Sequence, residues 1–458
     1  MSLTSLVRAY WDAKRPVPMA EAVMTRLQEQ RFRALLRYTV QQSPFYRRYY
    51  REHGITERHL DEVRLRDLPP VTKRTIMENF DEVVCDPSIK LKEVQNFILS
   101  QGGLGRLYRD KFCVVHTSGT TGTPGVFIYG PREIATVRAI LFARVPHRNP
   151  GLRRTRLFLL AAVEGYYGGV AISERAPSLL YVKEKCSVNL PLTEIIARAQ
   201  SYQPDVLGGY ASAVHMLAES QLKGLLNIKP RQIVTSGEPL TQVARNTIQQ
   251  AFGVIPNNLY ASSESLAMGA ECRHGSMHLF NDYHLFETLD ESGAVATDAD
   301  SGSLALTSLY NYTFPLIRYQ TSDRLQFKKD YCPCGSGLAV VEGIKGRTED
   351  YLWFDADRGR REFIHPITFA ELYAPEVEKF RVLQRSHQDF VIQVKAERNH
   401  PGIVQTLRSQ IDRVLQLKGL NLAVRYTIDF LDEIPIVSKS GKFDLVIPLA
   451  KAQKLSLV

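Results

Sequence analysis

A stretch rich in glycine and hydroxyl residues, HTSGTTGTPG at 116–125, is the first part of the chain whose residue types suggest chemistry. Its glycines let backbone N–H groups converge on an anion, and Ser118, Thr120 and Thr121 add hydroxyl donors. A Walker loop would lead from a strand into a helix and carry Lys after its last glycine. Here the strand-like runs FCVVH and VFIYG flank the loop, and Thr123 stands where related patterns often carry Lys. The stretch therefore predicts a phosphate-binding loop between two strands, with a polar hairpin turn as the alternative.

Potential metal ligands occur in two neighbourhoods of the sequence. Cys272 and His278 lie in ECRHGSMH, and Cys332 and Cys334 lie in CPCG about sixty residues later. Three thiolates and one imidazole can complete a tetrahedral Cys₃His zinc site. The sequence thus indicates a structural zinc ion, with His274 as a rival ligand and unliganded thiols as the alternative.

Alternating strand-like and helical segments must position these residues. From 110 to about 345, β-rich runs such as RLFLLAAV, DVLGGY and RQIVTSG alternate with helical stretches such as LTQVARNTIQQAF, which is typical of α/β layering with parallel strands. We predict an α/β fold with a large layered N-terminal domain, 1–347, that has mixed sheets and a β-rich subdomain. A small mobile α+β C-terminal domain, 348–458, follows. Within the first domain, residues 20–54 have helical spacing, with an apolar face of Val23, Met24, Leu27, Phe32, Leu35 and Leu36.

The composition is that of a folded globular protein of 458 residues, 44% hydrophobic, with six scattered cysteines and a formal charge of +10. Too few cysteines are present for a disulfide scaffold. Apolar runs are too short for a membrane span, and charge comes too early for a secretory signal, so we expect a cytoplasmic protein without a membrane span. The positive charge fits an anionic partner or a basic solvated surface. Basic residues are spread along the chain without an RNP-type motif, which argues against nucleic acid.

Six short motifs follow one another in a recognisable order. They are TSGTTGTPG at 117–125, TSGEPL at 235–240, YASSES at 260–265, RYQTSD at 318–323, GRTED at 346–350 and SKSGK at 438–442. Together they resemble the adenylate-forming superfamily of acyl- and aryl-CoA synthetases, NRPS adenylation domains and luciferase. The helical segment LQEQRFRALLRYTVQQSPFYRRYYREHG and CPCG resemble its phenylacetate-CoA ligase-like branch, and the resemblance covers nearly the whole chain. It implies an acid-thiol ligase that uses ATP to form an acyl-adenylate, releases pyrophosphate and acylates coenzyme A.

The resemblance implies two catalytic residues and a nucleotide site. Glu264 would bind Mg²⁺, and Lys442 would bridge the substrate carboxylate and the α-phosphate. Asp323 would accept hydrogen bonds from the ribose hydroxyls, Tyr260 would stack on adenine, and Glu349 would be the interdomain hinge. The full implied ATP-binding set is Ser118, Gly119, Thr120, Thr121, Gly122, Ser236, Gly237, Glu238, Pro239, Tyr260, Ala261, Ser262, Ser263, Asp323 and Arg347.

The carboxylate pocket is expected in AAVEGYYGGVAIS and GGYASAV. Glycines there permit close backbone approach and the neighbouring side chains supply apolar and aromatic walls, which favours an aromatic or hydrophobic acid. Ordinary core packing is the alternative for these aromatics. The predicted substrate-binding residues are Val163, Tyr166, Tyr167, Gly168, Gly169 and Tyr210.

The sequence departs from the family pattern after GRTED. The family usually continues into a glycine loop that helps to form the pantetheine channel, whereas here the charged segment YLWFDADRGRREFIHP follows. This departure leaves adenylation intact and puts the acceptor in doubt. Coenzyme A is the leading acceptor, a carrier-protein thiol or an amine is the alternative, and a degenerate nucleotide-binding protein is the non-enzyme alternative. We expect a monomer or homodimer.

Overall fold

The computed structural model describes residues 3–15, 17, 20–100, 105–117, 125–145, 153–163, 165–290, 292–296, 303–321, 323–328, 330–345, 352–356, 360–364, 368–369, 372, 374, 377–396, 401–435 and 444–454. Its mixed sheets, layered with helices, confirm the predicted α/β fold class. The predicted domain boundary at 347/348 lies outside the described residues.

The N-terminal part of the described chain is helical. It contains α1 (Leu3–Lys14), α2 (Glu21–Gln42), α3 (Pro44–Glu52), α4 (Lys73–Glu78), α5 (Phe80–Val83) and α6 (Leu91–Leu99), with 3₁₀ turns at Glu57–His59 and Leu65–Asp67.

The helical pattern over 20–54 is divided at Ser43. The Ser43 hydroxyl accepts a hydrogen bond from the N–H of Tyr46 at 3.4 Å and caps α3, whose first residue is Pro44. Most of the predicted apolar face is buried, but Val23 was wrongly included, since it is 53% exposed. The neighbouring Met24, which the predicted face also includes, is buried.

A short antiparallel pair and one large sheet follow. β1 (Cys113–His116) pairs with β2 (Val126–Tyr129), and α7 (Pro131–Arg144) comes next. The strands of the large sheet are β3 (Thr155–Ala161), β4 (Tyr181–Ser187), β5 (Val206–Gly209), β6 (Gln232–Ser236), β7 (Asn257–Tyr260), β8 (Gly269–Glu271), β9 (Met277–Leu279), β13 (Arg324–Lys328) and β14 (Val340–Lys345). They are arranged in the order β13-β14-β9-β8-β7-β6-β5-β3-β4.

The half of this sheet from β4 to β7 is parallel, because a helix connects each strand to the next. The connecting helices are α8 (Gly168–Glu174), α9 (Leu192–Tyr202), α10 (Ala211–Leu222) and α11 (Gln242–Phe252). Phe158 and Leu160 of β3 point into the core formed with α9 and α10. The other half, from β7 to β13, is antiparallel.

A separate three-stranded sheet joins β10 (His284–Leu289), β11 (Ser303–Ser308) and β12 (Tyr319–Gln320) in that order. The C-terminal part contains the hairpin β15 (Leu352–Asp355) and β16 (Arg361–Ile364), and a four-stranded sheet ordered β19-β18-β17-β20. Its elements are β17 (Val377–Ser386), β18 (Asp389–Ala396), α12 (Pro401–Leu417), β19 (Arg425–Phe430), β20 (Val446–Ile447) and α13 (Leu449–Lys454). The helix α12 buries Ile403, Leu407, Ile411 and Leu415 against this sheet.

The C-terminal part is attached to the N-terminal part by a buried polar contact. The Lys418 ammonium donates to the carbonyl oxygen of Leu190 at 2.7 Å, lies 3.5 Å from Glu362 Oε1 and sits 3.9 Å from the centre of the Phe363 ring. Phe363 itself packs into the core beside α9 and α10. None of the described helices is long and apolar enough to cross a membrane.

Candidate active site

The carboxyl ends of the parallel strands open onto one cleft with a volume of about 1640 Å³. Ala161 of β3, Gly209 of β5, Ser236 of β6 and Tyr260 of β7 all line it. Open α/β sheets bind their ligands outside these ends of their strands. The cleft therefore gathers the predicted residues of 236–239 and 260–264 in one place.

The base of the glycine-rich loop is closed by Thr117 and Gly125. The N–H of Thr117 donates to the carbonyl oxygen of Gly125 at 2.8 Å, and the N–H of Gly125 donates to the Thr117 hydroxyl at 2.7 Å. These bonds extend the antiparallel β1–β2 pair, so the loop joins two strands as predicted. Its tip, with Ser118, Gly119, Thr120, Thr121 and Gly122, lies outside the described residues.

The loop that carries Glu264 is fixed to this base. The Ser263 hydroxyl donates to the carbonyl oxygen of His116 at 3.1 Å, and the Tyr129 hydroxyl donates to the carbonyl oxygen of Ser263 at 2.7 Å. Ser263 and Glu264 consequently face the same cleft as Thr117. The Tyr319 hydroxyl lies 3.4 Å from Glu264 Oε1. Burial and the Glu264 carboxylate together raise the pKa of Tyr319, which keeps its hydroxyl proton.

Asp323 is held at the edge of the cleft by contacts on both sides. The Tyr260 hydroxyl donates to its carboxylate at 2.9 Å, and the N–H of Leu304 donates to its carbonyl oxygen at 3.0 Å. Upstream, the buried Arg318 binds Glu287 at 3.1 Å and the carbonyl oxygen of Gly293 at 3.3 Å. These contacts hold Arg318 and Asp323 in place at the edge of the cleft.

The 236–239 loop requires glycine at its second position. Gly237 has φ +82°, and a Cβ there would lie 3.1 Å from the Tyr210 ring. The Glu238 carboxylate accepts a hydrogen bond from the N–H of Ser212 at 3.0 Å and another from the Ser212 hydroxyl. The loop is thereby tied to the start of α10, and Ser236, Gly237, Glu238, Pro239 and Tyr210 all line the cleft.

The predicted acid pocket is reproduced only in part. Tyr167, Gly168 and Gly169 line the cleft, but Val163 and Tyr166 do not. The Tyr166 ring instead packs against Phe97 of α6, with ring centres 4.9 Å apart. In the turn that precedes α8, Tyr166 and Tyr167 have different neighbours, and only Tyr167 contributes to the cleft wall.

His116 is a residue of the cleft to which sequence reasoning gave no role. Its ring lies 4.8 Å from that of Tyr167, and its Nδ1 is 3.3 Å from the carbonyl oxygen of Thr117. Burial lowers the pKa of His116 to about 4, so its imidazole is neutral near pH 7. A neutral polar ring thus stands between the glycine-rich loop and the acid pocket. Its position as the first residue of HTSGTTGTPG is the signal by which the sequence could have indicated it.

Several ligases are similar to this chain in sequence. A phenylacetate-coenzyme A ligase from Thermus thermophilus is 29% identical over 344 residues, covering 71% of each chain. One from Pseudomonas putida is 26% identical over 366 residues, covering 75% of this chain and 76% of that one. These similarities confirm the predicted resemblance to the phenylacetate-coenzyme A ligase-like branch of the adenylate-forming superfamily.

One further sequence relative and one solved structure are also similar to this chain. The protein CapK from Staphylococcus aureus is 23% identical over 348 residues, covering 71% of this chain and 68% of that one. A crystal structure of 2-hydroxyisobutyryl-CoA ligase with 2-HIB-AMP and CoA has a TM-score of 0.61, with 21% identity over 97% of this chain and 94% of that one. At that identity the likeness shows a shared fold. No protein-family model matches the chain.

In this ligase-like protein the four predicted zinc ligands converge. Cys272 Sγ lies 3.7 Å from Cys332 Sγ, Cys334 Sγ lies 3.4 Å from His278 Nε2, and all four ligand atoms lie within 4.8 Å of one another. A sulfur separation of 3.7 Å is too long for a disulfide. It does match the edge of a tetrahedron with zinc–sulfur bonds of about 2.3 Å, which is about 3.8 Å.

The electrostatics of this cluster favour a thiolate at Cys332, whereas burial and the neighbouring thiols raise the pKa of Cys334. Burial opposes ionisation of Cys332, but hydrogen bonds from the Cys334 backbone and from the Ser276 and His278 side chains outweigh it and lower the pKa of Cys332 to about 6. The rival ligand His274 is exposed, and Arg273 donates to its ring at 3.3 Å. The donor set therefore fits zinc without His274.

Three predicted residues of the C-terminal chemistry lie outside the described residues: Arg347, Glu349 and Lys442. Their roles stay predictions.

Proposed function

We propose that this phenylacetate-coenzyme A ligase-like protein activates a carboxylic acid with ATP, releases pyrophosphate and transfers the acyl group from the adenylate to the thiol of coenzyme A. The observation that carries the proposal is the convergence of Glu264, Asp323 and the 236–239 loop on the cleft that also holds Tyr167 and Gly168. These elements come from distant parts of the chain. Nucleotide and acid would meet there at the carboxyl ends of the sheet.

Each proposed role follows from the chemistry of the group. Adenylation joins two anions, so cations and hydrogen-bond donors must surround the α-phosphate. Glu264 would hold Mg²⁺, which takes one or two carboxylates plus phosphate oxygens and would neutralise phosphate charge. Asp323, an acceptor-only carboxylate, suits the ribose diol. Lys442 would add a point charge at the α-phosphate during adenylation.

Coenzyme A is the proposed acceptor, and a carrier-protein thiol or an amine is the alternative. The alternative is retained because the hairpin β15–β16 occupies the segment where the family usually has its glycine loop. After adenylation, the C-terminal domain would rotate about Glu349 to bring the acceptor to the adenylate.

We also propose that Cys272, His278, Cys332 and Cys334 bind a structural zinc ion. The ligands come from the turn between β8 and β9, from β9, and from the segment between β13 and β14. Zinc would tie these segments together at one end of the large sheet. Protein side chains would fill all four coordination positions of the zinc ion, which is the pattern of a structural rather than a catalytic site.

The deciding experiment is acid-dependent exchange of labelled pyrophosphate into ATP, followed by a measurement of coenzyme A consumption. Exchange with a carboxylic acid is expected, and thioester should form when coenzyme A is added. Exchange without coenzyme A consumption would move the acceptor to a carrier protein or an amine. A folded protein that binds ATP and supports no exchange with any acid would be a degenerate nucleotide-binding protein.

A further inference from the structure

The cleft extends well beyond the acid pocket, along one face of β3. Ala161, Leu159 and Leu157 line it in turn from the carboxyl end inward, while the alternate residues Phe158 and Leu160 are fully buried on the opposite face. The four residue steps from Leu157 to Ala161, at about 3.3 Å each, make this wall about 13 Å long. The cavity is therefore deeper than a single aromatic ring at the acid pocket would fill.

Side chains of two helices add further apolar lining to the same cleft. Leu141 and Phe142 of α7 line it, as do Ile172, Ala176 and Leu180 of α8 and the segment that follows. These side chains are neither fully buried nor on the open surface, because they face the cavity. The volume of about 1640 Å³ covers the whole cleft, including the proposed nucleotide site, and the partly accessible apolar side chains of β3, α7 and α8 line part of it.

Glycines leave part of this space open. A Cβ at Gly208 of β5 would meet Leu159 Cδ1 at 3.7 Å and Leu157 Cδ1 at 3.9 Å, which is ordinary contact, and a Cβ at Gly169 would meet nothing within 4 Å. Close packing therefore does not require glycine at either position. The missing side chains leave room that an acyl group can occupy.

We propose that the acid activated by this protein carries an extended apolar chain, of the kind found in medium- and long-chain fatty acids, which lies between β3 and the facing helices α7 and α8. The proposal rests on the proposed function and specifies its substrate. A flexible chain fits a long cavity that is lined by aliphatic side chains from two layers. A single-ring acid would leave the inner part, near Leu157 and Leu180, unfilled.

Arg138 of α7 is the feature of this wall that favours a different acid. Its side chain is half-buried at the cavity, and no described carboxylate forms an ion pair with it. A dicarboxylic acid could use that charge for its far end. The aliphatic lining along β3, α7 and α8 outweighs one cation, so we assign the monocarboxylic chain and make the dicarboxylic acid an arm of the test.

The first test is pyrophosphate exchange by the wild-type protein with straight-chain acids from butanoate to hexadecanoate, with phenylacetate, and with dicarboxylic acids of matched length. We expect kcat/KM to rise about fourfold per methylene until the cavity is filled, mostly through KM. An optimum at phenylacetate or butanoate would overturn the proposal while leaving the proposed function intact. A preference for dicarboxylic over monocarboxylic acids would also overturn it. Absence of exchange with every acid would instead refute the proposed function.

Variants of the wall give a second test. Gly208→Val adds a β-branched side chain that strands accommodate, and should lower the ratio of kcat/KM for dodecanoate to that for butanoate at least tenfold. Leu159→Ala should shift the optimum to longer acids. The matched control Val182→Ile adds a methylene on β4, outside the cavity lining, and should leave the ratio unchanged. If Gly208→Val fails to fold, the Leu159→Ala variant and the wild-type acid series still test the proposal. The same ratio of kcat/KM for dodecanoate to that for butanoate in Leu159→Ala and wild type would count against it.

Discussion

The Tyr260 hydroxyl donates a hydrogen bond to the Asp323 carboxylate at 2.9 Å, which joins the YASSES and RYQTSD motifs across the cleft. Tyr260 is 6% exposed and lies at the end of β7, where its ring lines the cleft and its hydroxyl orients Asp323. The aromatic ring and the ribose-binding carboxylate proposed here therefore act as one unit. Stacking of the ring on adenine stays a prediction.

Tyr260→Phe is expected to raise the KM for ATP about five- to tenfold, because a hydrogen bond to a charged group is lost and water replaces it only in part. The kcat should change little, since the ring and the carboxylate both remain. Pyrophosphate exchange at varied ATP measures both constants. Tyr202→Phe, which removes a hydroxyl bonded to the carbonyl oxygen of Val182, is the control and should leave the KM for ATP unchanged. Equal KM values in Tyr260→Phe and wild type would contradict the orienting role.

Lys442→Ala is expected to abolish adenylation and to leave thioester formation from supplied acyl-adenylate largely intact. The reason is that the lysine charge is needed where the α-phosphate is attacked, and not where the thiol attacks the finished adenylate. Pyrophosphate exchange measures the first half-reaction and thioester release measures the second. Equal loss of both would argue against two working positions of the C-terminal domain.

Local patterns in the sequence were sufficient to predict much of the fold. The β-branched and aromatic runs on each side of 117–125 predicted two strands, and β1 and β2 are those strands. The helical spacing in 20–54 predicted most of the buried face of α2. Both predictions depend on residues close to one another in the chain, where periodicity carries the information.

Features that depend on distant residues could not be predicted in this way. The run LFLLAAV places apolar residues on both faces of β3. This sequence pattern is the same whether a face packs against a helix or lines a cavity, so the cavity wall at Leu157 and Leu159 could not be predicted. Lys418 in a short LKG segment resembles a solvated lysine, and its burial follows only from the docking of Phe363 beside α9. The neighbouring residues Tyr166 and Tyr167 could not be told apart, because the direction of each side chain is set by the turn.

Cys334→Ser is expected to lower the zinc content and the midpoint of thermal unfolding, because a zinc ion bound at the proposed site would contribute directly to folding. Elemental analysis of the purified protein measures zinc per chain, and calorimetry measures the midpoint. Cys85→Ser is the control, since Cys85 is a buried cysteine outside the cluster and its replacement should leave zinc bound. A wild-type protein without zinc would remove the structural-zinc proposal.

Stability is expected to fall as the pH is lowered from 6.5 toward 4, in part through His284. This side chain is fully buried between the Ser265 hydroxyl at 2.8 Å and the carbonyl oxygen of Phe280 at 3.0 Å, and burial lowers its pKa to about 4. As the pH falls, this histidine binds a proton in the unfolded chain before it does so in the folded chain. The contribution of neutral His284 to the free energy of unfolding is therefore complete above pH 6.5 and is about 3 kcal/mol smaller near pH 4.

Thermal unfolding at a series of pH values tests this contribution. His284→Gln should make the midpoint less dependent on pH in this range, whatever its effect on the midpoint itself. The exposed His53, replaced by Gln, is the control and should preserve the wild-type dependence. An unchanged pH dependence in His284→Gln would show that other groups, including His116, account for the acid sensitivity.

Lys418→Met is expected to weaken the attachment of the C-terminal part to the N-terminal part. Removing the ammonium leaves the Glu362 carboxylate, 5% exposed, without its cation, and breaking a buried pair in this way costs about 3 to 5 kcal/mol. The double variant Lys418→Met with Glu362→Gln removes the stranded charge and should recover most of the loss. Limited proteolysis and the thermal midpoint provide two measurements, with Lys223→Met, at an exposed lysine, as the control. A double variant no more stable than Lys418→Met would indicate that the bond from Lys418 to Leu190, rather than the ion pair, holds the two parts together.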